Sequence, residues 1–240
     1  MEYGDVVKVN FSILLEDGEV FETTYEDVAK KKGIYASWRK YVPLVFKAGI
    51  GQVIEGLDKA VIGMRKGEEK SVRIPPEEGY GHIRPELIQT VPMDMFRKIG
   101  VEPMEGMIID TSEGYAKVIA VTEEEVELDL NHPLAGKTVI FEIVLEDIVK
   151  EKAKEQGLVE RGTYLLRMRR FEEALEFFDK ALNINPEHGD AWNKKGVALG
   201  MMEKFEEALA CFDRALEINP QDREALSNRK LALSRIREGK

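Results

Sequence analysis

Residues 158–186 read LVERGTYLLRMRRFEEALEFFDKALNINP and residues 192–220 read WNKKGVALGMMEKFEEALACFDRALEINP, so the chain repeats itself at a spacing of 34 residues. The matched positions are Gly162 and Gly196, Ala174 and Ala208, Phe178 and Phe212, Ala181 and Ala215, and Pro186 and Pro220. A repeat of this length in helical sequence indicates stacked helical hairpins, in which small residues allow close helix crossings and prolines end each second helix. Residues 225–237 would add a capping helix. Because such a module docks peptides, we expect any chemistry to lie in residues 1–150.

The distribution of charge supports a domain boundary near Glu151. The chain has 240 residues and a net charge of −10, and residues 151–240 hold 17 basic and 17 acidic residues, so the excess of acid lies in residues 1–150. Nucleic acids and anionic membranes carry the same sign, and we do not expect them as partners. No apolar run reaches the roughly 18 residues of a membrane span, and residues 1–5 lack the features of a secretion signal. We therefore expect a cytoplasmic protein.

Cysteine and histidine are too sparse for a redox or transition-metal site. Cys211 is the single cysteine and cannot form an intrachain disulfide. The three histidines, at positions 82, 132 and 188, are far apart in sequence and far from Cys211. Cys211 occupies an internal position of a repeat helix, where we expect a small core or groove residue. The sequence thus predicts no metal, no cofactor and no cysteine or serine nucleophile.

Period-2 patterns predict an antiparallel sheet in residues 1–150. Val7, Val9, Phe11, Ile13 and Leu15 alternate with polar residues, as in a strand with one buried face. A hairpin is expected to turn at Asp17-Gly18. Further strands are expected at 44–47, 69–74 and 137–149, a short helix at 55–64, and an insertion with strands at 107–110, 115–121 and 126–130. The pattern predicts an α+β domain, an antiparallel sheet wrapped on one short helix.

Gly49-Ile50-Gly51, between a strand and a helix, is a possible nucleotide-binding loop. The dinucleotide fingerprint needs a third glycine where Ile54 stands, and a phosphate loop needs a Gly-Lys-Ser/Thr sequence that is missing. A glycine turn that lets the helix pack under the sheet explains these residues better.

Five short motifs occur in an order that is similar to one known family. They are Leu15-Glu16-Asp17-Gly18 with Phe21-Glu22-Thr23-Thr24, Gly51-Gln52-Val53-Ile54-Glu55-Gly56-Leu57, Gly63-Met64 with Gly67-Glu68, Gly79-Tyr80-Gly81, and Val139-Ile140-Phe141-Glu142-Ile143. Together they resemble an FKBP-type peptidyl-prolyl cis-trans isomerase. The segment after Gly81 resembles the β-rich insert-in-flap domain of SlyD-like and archaeal members. The resemblance implies an isomerase domain at 1–81 plus 132–150 and an inserted flap domain at 82–131, followed by the all-α repeats at 151–240.

The resemblance also implies a pocket and a role for some of its residues. Tyr80, Glu22, Phe141 and Phe21 would be catalytic, and the substrate would be bound by Phe11, Leu44, Val53, Ile54, Leu57 and Leu134. The Tyr80 hydroxyl would donate to the substrate carbonyl, and Val53 and Ile54 would offer backbone hydrogen bonds. Leu57, Phe11 and Glu22 stand where tryptophan, tyrosine and aspartate are common in the family. Each aromatic strand residue could equally be ordinary core.

The insertion is rich in methionine, a side chain that adapts to varied partners. The resemblance to chaperone-like inserts implies a surface for unfolded chains formed by Met93, Met95, Phe96, Met104 and Met107. The alternative is that these residues build the core of a small lobe. No His-rich or Cys-rich tail follows residue 150, so the nickel-binding role of some relatives is not implied.

The two repeats resemble tetratricopeptide (TPR) repeats. Related modules clamp acidic C-terminal tails with lysine and asparagine, but the corresponding positions here hold Val159, Thr163, Asn193 and Val197. We therefore expect a protein or peptide partner that is not an acidic tail, and the sequence does not identify it.

These patterns together predict a cytoplasmic isomerase that acts on X-Pro bonds of unfolded or nascent polypeptides, with chaperone activity from the insert and docking by the repeats. The alternative is a non-catalytic holdase or scaffold that binds proline-containing segments.

Overall fold

The computed structural model describes residues 1–111, 114–150 and 154–238. Its strands are β1 (Val6–Leu14), β2 (Val20–Thr23), β3 (Leu44–Lys47), β4 (Glu69–Ile74), β5 (Ile88–Pro92), β6 (Ile108–Thr111), β7 (Gly114–Val121), β8 (Glu125–Asp129) and β9 (Val139–Val149). Its α-helices are α1 (Glu26–Lys31), α2 (Glu55–Val61), α3 (Met93–Ile99), α4 (Lys154–Arg167), α5 (Phe171–Ile184), α6 (Gly189–Met201), α7 (Phe205–Ile218) and α8 (Arg223–Glu238). The chain divides into two compact units, a first unit of Met1–Ile13, Val20–Val72 and Phe141–Lys240 and a second unit of Leu14–Glu19 and Arg73–Ile140.

An antiparallel sheet with the order β2-β1-β9-β4 lies in the N-terminal part of the chain, and β3 pairs with β1. In the β1–β3 pair, Val7 lies opposite Phe46. Along β9 the buried positions alternate, as predicted from the period-2 pattern. They are Val139, Phe141, Ile143 and Leu145. The predicted short helix is also present, as α2.

β1 differs from its prediction because polar side chains on its second face are buried as well. Asn10 and Ser12 are only 7% and 6% exposed. Ser12 Oγ lies 2.9 Å from Thr23 Oγ1, and Thr24 Oγ1 donates to Asn10 Oδ1 at 2.8 Å. The threonines at the end of β2 thus satisfy these polar atoms, which allows burial that the alternating pattern does not indicate.

The second unit contains a four-stranded sheet in the order β5-β8-β7-β6. Its core is formed by Phe96, Ala116, Val118, Val126 and Leu128. The strands β6, β7 and β8 match the predicted ones closely. The sequence patterns did not predict β5 or α3, which ends at Gly100 in the left-handed conformation with φ of 70°.

The helices α4 to α8 form two helical hairpins and a further helix, as the 34-residue repeat predicts. Each hairpin crosses at a glycine, because a Cβ at Gly162 would lie 2.6 Å from the Phe178 ring and one at Gly196 would lie 2.5 Å from the Phe212 ring. Cys211 is buried on α7, and burial raises the pKa of its thiol to about 11. The thiol is therefore a buried core group.

Substitution of Gly196 by alanine should destabilise the repeats by about 1–3 kcal/mol, because the added methyl group overpacks the crossing. Gly200 lies one turn further along α6, and a Cβ there would meet nothing closer than the Ala208 Cβ at 4.0 Å. We expect Gly200→Ala to be neutral or to stabilise by up to about 1 kcal/mol, since alanine favours helix. Denaturant unfolding measures the free energy of unfolding of both variants. Equal changes in Gly196→Ala and Gly200→Ala would contradict the close helix contact at Gly196.

In the described ranges, no helix has the length and apolar character needed to cross a membrane. Those same residues contain no group of three or more His, Cys, Asp or Glu side chains placed to hold a metal ion.

Candidate functional site

Of the ten predicted site residues, eight belong to the first unit: Glu22, described below, and seven apolar residues on its strands, on α2 or just before α2. The seven apolar residues are Phe11, Phe21, Leu44, Val53, Ile54, Leu57 and Phe141. The rings of Phe11 and Phe141 are 5.5 Å apart with an interplanar angle of 39°. Phe11, Leu57 and Phe141 are buried, whereas Phe21 is 36% exposed. The structure thus brings the rings of Phe11 and Phe141 together in the core, and the Phe21 ring is partly exposed to solvent.

Glu22 is held by the long loop between α1 and β3. Its carboxylate forms an ion pair with Arg39, and the Arg39 guanidinium lies 5.7 Å from the centre of the Tyr41 ring. Tyr41 in turn stacks on Tyr35 and accepts a hydrogen bond from the backbone N–H of Ala36. The loop aromatics therefore stabilise the loop that neutralises Glu22, while Trp38 at its tip is 85% exposed.

The second unit holds the other two predicted residues, Tyr80 and Leu134. The Tyr80 ring stacks on His132, with ring centroids 4.3 Å apart and an interplanar angle of 9°. His132 Nδ1 accepts a hydrogen bond from the backbone N–H of Leu134 at 3.1 Å, and Leu134 is fully buried. His132 was not predicted as a site residue. Its only sequence signal was its place in the segment that rejoins β9.

Asp58 is a second residue that sequence reasoning missed. Its side chain is fully buried on α2 and accepts hydrogen bonds from the backbone N–H groups of Gly49 at 2.6 Å and Gly51 at 2.8 Å. Burial raises the pKa of Asp58, and the two glycine amides and Arg161 oppose that rise. The carboxylate therefore fixes the glycine turn that leads into Val53 and Ile54. The turn is thus held by a side chain of the helix that follows it.

The insert carries an apolar groove between α3 and its sheet. The groove has a volume of about 350 Å³, and its apolar lining is Val91, Met95, Phe96, Ile99, Ile109, Leu128 and Leu130. Met95, Ile99 and Met104 are 57%, 68% and 66% exposed, while Phe96 is buried and forms the floor. Met93 and Met107 pack against the core of the lobe. The predicted methionine set therefore divides between core and surface.

A groove of about 650 Å³ lies at the α6–α8 end of the repeats, lined among others by Val197, Met201, Phe205 and Leu231. Asn193, the one residue at the predicted clamp positions that matches the clamp pattern, is 1% exposed. Its Oδ1 accepts a hydrogen bond from Asn228 Nδ2 at 3.0 Å. Asn193 therefore joins two helices.

Comparison with protein families identifies both parts of the chain. The model of the FKBP-type peptidyl-prolyl cis-trans isomerases matches residues 1–146. Two tetratricopeptide repeat models match residues 156–188 and 189–222. Both resemblances seen in the sequence are thus confirmed.

Two individual relatives agree with the FKBP family match, and one solved structure is reported after them. A short-type peptidyl-prolyl cis-trans isomerase of Methanocaldococcus jannaschii is 50% identical over 145 residues, which cover 60% of this chain and 92% of that protein. The FKBP-type isomerase SlyD of Aeromonas hydrophila is 33% identical over 152 residues, which cover 62% of this chain and 65% of that protein. A solved TPR domain of Sgt2 from Aspergillus fumigatus is 19% identical with a TM-score of 0.35, covering 37% of this chain and 60% of that one.

Proposed function

The chain belongs to the family of FKBP-type peptidyl-prolyl cis-trans isomerases and is an enzyme of that class, and we propose that its substrates are X-Pro bonds of unfolded or nascent polypeptides. The observation that carries the proposal is the contact between the buried rings of Phe11 and Phe141, which lies within the family match. A cytoplasmic location is part of the proposal, because a chain with one cysteine does not depend on disulfides.

The chemistry requires an apolar site more than reactive groups. Rotation about an amide bond must overcome a barrier of roughly 18–20 kcal/mol, because resonance is lost in the twisted state. That twisted state is less polar than the planar amide, so a pocket that excludes water favours it. The role proposed for Tyr80 is to donate a hydrogen bond to the substrate carbonyl, and the role proposed for Glu22 is to act near the rotating bond. Val53 and Ile54 bind the peptide backbone.

We propose that residues 82–131 hold unfolded chains. The support is the apolar groove, with Met95 and Ile99 largely exposed above the buried Phe96. Two linked binding sites raise the local concentration of a bound chain at the second site, so a held polypeptide presents its prolines repeatedly. The insert would therefore act on long chains and not on short peptides.

Replacing Met95 and Ile99 together with serine should lower the catalysed refolding rate of an unfolded protein by about 10-fold, since the linked-site gain is lost. Activity on a chromogenic tetrapeptide should stay unchanged, because such a peptide is too short to occupy the groove. The matched control is Met168→Ser, since Met168 is 53% exposed but lies in the repeats. Equal losses on both substrates, or no loss on either, would contradict the proposed role.

We propose that residues 151–240 dock a protein or peptide partner. Their support is the match to two TPR repeats and the open groove at the end of the stack. The burial of Asn193 argues against the acidic-tail clamp of related modules.

A holdase, in which the pocket holds proline-containing segments and turnover is secondary, is the second candidate, and the observation that favours it is the ion pair between Glu22 and Arg39. Refolding of a protein limited by a trans-to-cis prolyl step, with the chain at substoichiometric amounts, separates the two. Acceleration that Tyr80→Phe and Glu22→Ala reduce supports the proposed site. Arrest of refolding in proportion to added protein supports the holdase.

A further inference from the structure

The glycine turn before α2 is fixed from one side by Asp58 and leads directly to the proposed peptide-binding backbone of Val53 and Ile54. Gly49 and Gly51 both have positive φ, 78° each, and both donate to the Asp58 carboxylate. Any displacement of this carboxylate would move the turn, because a buried carboxylate and its hydrogen-bonded amides shift together.

Arg161, on helix α4 of the first repeat, fixes the same carboxylate from the other side. Arg161 is 5% exposed, and its Nη1 lies 3.5 Å from Asp58 Oδ2. Within the described residues, its Nε and Nη1 have no hydrogen-bond partner, so the guanidinium is held by charge and by the Tyr164 ring, 5.1 Å away. An arginine is rarely buried so completely unless it is paired, and here its nearest acidic partner belongs to the isomerase fold.

Tyr164, one turn further along α4, covers Gly51 directly. A Cβ at Gly51 would overlap the Tyr164 ring, so the ring packs against the backbone of the turn. Two further ion pairs flank the contact. Glu160 on α4 pairs with Lys47 at 3.0 Å, and Arg170 pairs with Glu55 at the start of α2.

We propose that Arg161 and Tyr164 are positioning residues of the isomerase, which hold the Gly49–Gly51 turn and thereby the Val53–Ile54 edge of the pocket. The FKBP family match ends at residue 146, so this support comes from outside the matched isomerase segment. The first repeat is then part of the enzyme, and it does more than carry a docking surface. The inference rests on the proposed pocket, because it assigns the backbone of Val53 and Ile54 to the substrate.

The test uses the full chain and a chromogenic tetrapeptide that is too short to involve the insert. Arg161→Met should raise KM about 5- to 30-fold with kcat little changed, the range that residues acting through a network reach. Amide exchange at Gly49 and Gly51, measured by NMR, should become faster. Arg161→Lys keeps the charge and should fall between Arg161→Met and the wild type. Arg214→Met is the matched control, since Arg214 pairs with Glu187 and Glu217 of the repeats.

A purely structural role would lower the folded fraction, and hence the apparent kcat, without changing KM. The proposal is therefore overturned if folded Arg161→Met has the KM and the Gly51 exchange rate of the wild type. If Arg161→Met does not fold, KM and the Gly51 exchange rate are measured in Tyr164→Leu instead. This variant uncovers Gly51 and leaves Asp58 paired with Arg161, and wild-type values in it would overturn the proposal. Phe21→Ala, measured in the same assay, tests the proposed pocket independently of the role of Arg161. If Phe21→Ala loses activity while Arg161→Met keeps the KM of the wild type, the proposed pocket is supported and only the positioning role of Arg161 is contradicted.

Discussion

Replacement of Phe21 by alanine is expected to lower kcat/KM for prolyl isomerisation by about 10- to 100-fold, a loss of about 1.4–2.7 kcal/mol of transition-state stabilisation. Phe21 is the aromatic pocket residue that remains 36% exposed. Its ring would close the apolar site around the twisted amide, and alanine would admit water there. Because the side chain is only partly buried, the free energy of unfolding should fall by no more than about 2 kcal/mol. Coupled peptide assays and urea unfolding measure the two quantities separately.

Phe21 is a better probe than Phe11 or Phe141. Those two rings are buried and pack against each other, so their truncation should cost about 3–5 kcal/mol and would confuse loss of the site with loss of the fold. Val45→Ala on β3 is the matched control, since Val45 is exposed and is not assigned to the pocket. An activity of Phe21→Ala within twofold of the wild type would remove Phe21 from the site.

The fold was predictable wherever local periodicity decides structure. The 34-residue repeat predicted α4 to α8, and alternation predicted β9, because one face of each element is buried against its neighbours. β5 was not predicted because it is largely exposed, and α3 was not predicted because Phe96 is the one buried residue among its seven, whereas α2 buries five of its seven. The burial of the polar face of β1 was not predicted for another reason. Its burial depends on threonines of β2, whose hydrogen bonds to Asn10 and Ser12 are long-range in sequence.

The candidate site was predictable only through resemblance to a family. Tyr80 and Phe141 were named from motifs, and their roles stay predictions. Asp58 and Arg161 were missed because their importance depends on each other, at positions 103 residues apart in sequence. His132 was missed for the same reason, since its stacking on Tyr80 joins the two ends of the insert. No local pattern distinguishes such residues from ordinary surface charges or loop histidines.

Replacement of Asp58 by alanine should destabilise the chain by about 3–5 kcal/mol, the largest stability effect expected from a single polar residue here. The substitution removes the acceptor of two glycine amides and leaves Arg161 as a buried charge without its nearest counter-ion. Urea unfolding at neutral pH measures the loss. Asp147→Ala is the control, because the Asp147 side chain is 50% exposed and its ion pair with Lys66 is screened by solvent, so its loss should have little effect. If Asp58→Ala costs no more than Asp147→Ala, the carboxylate does not hold the turn, and Arg161 would have no group through which to position the pocket.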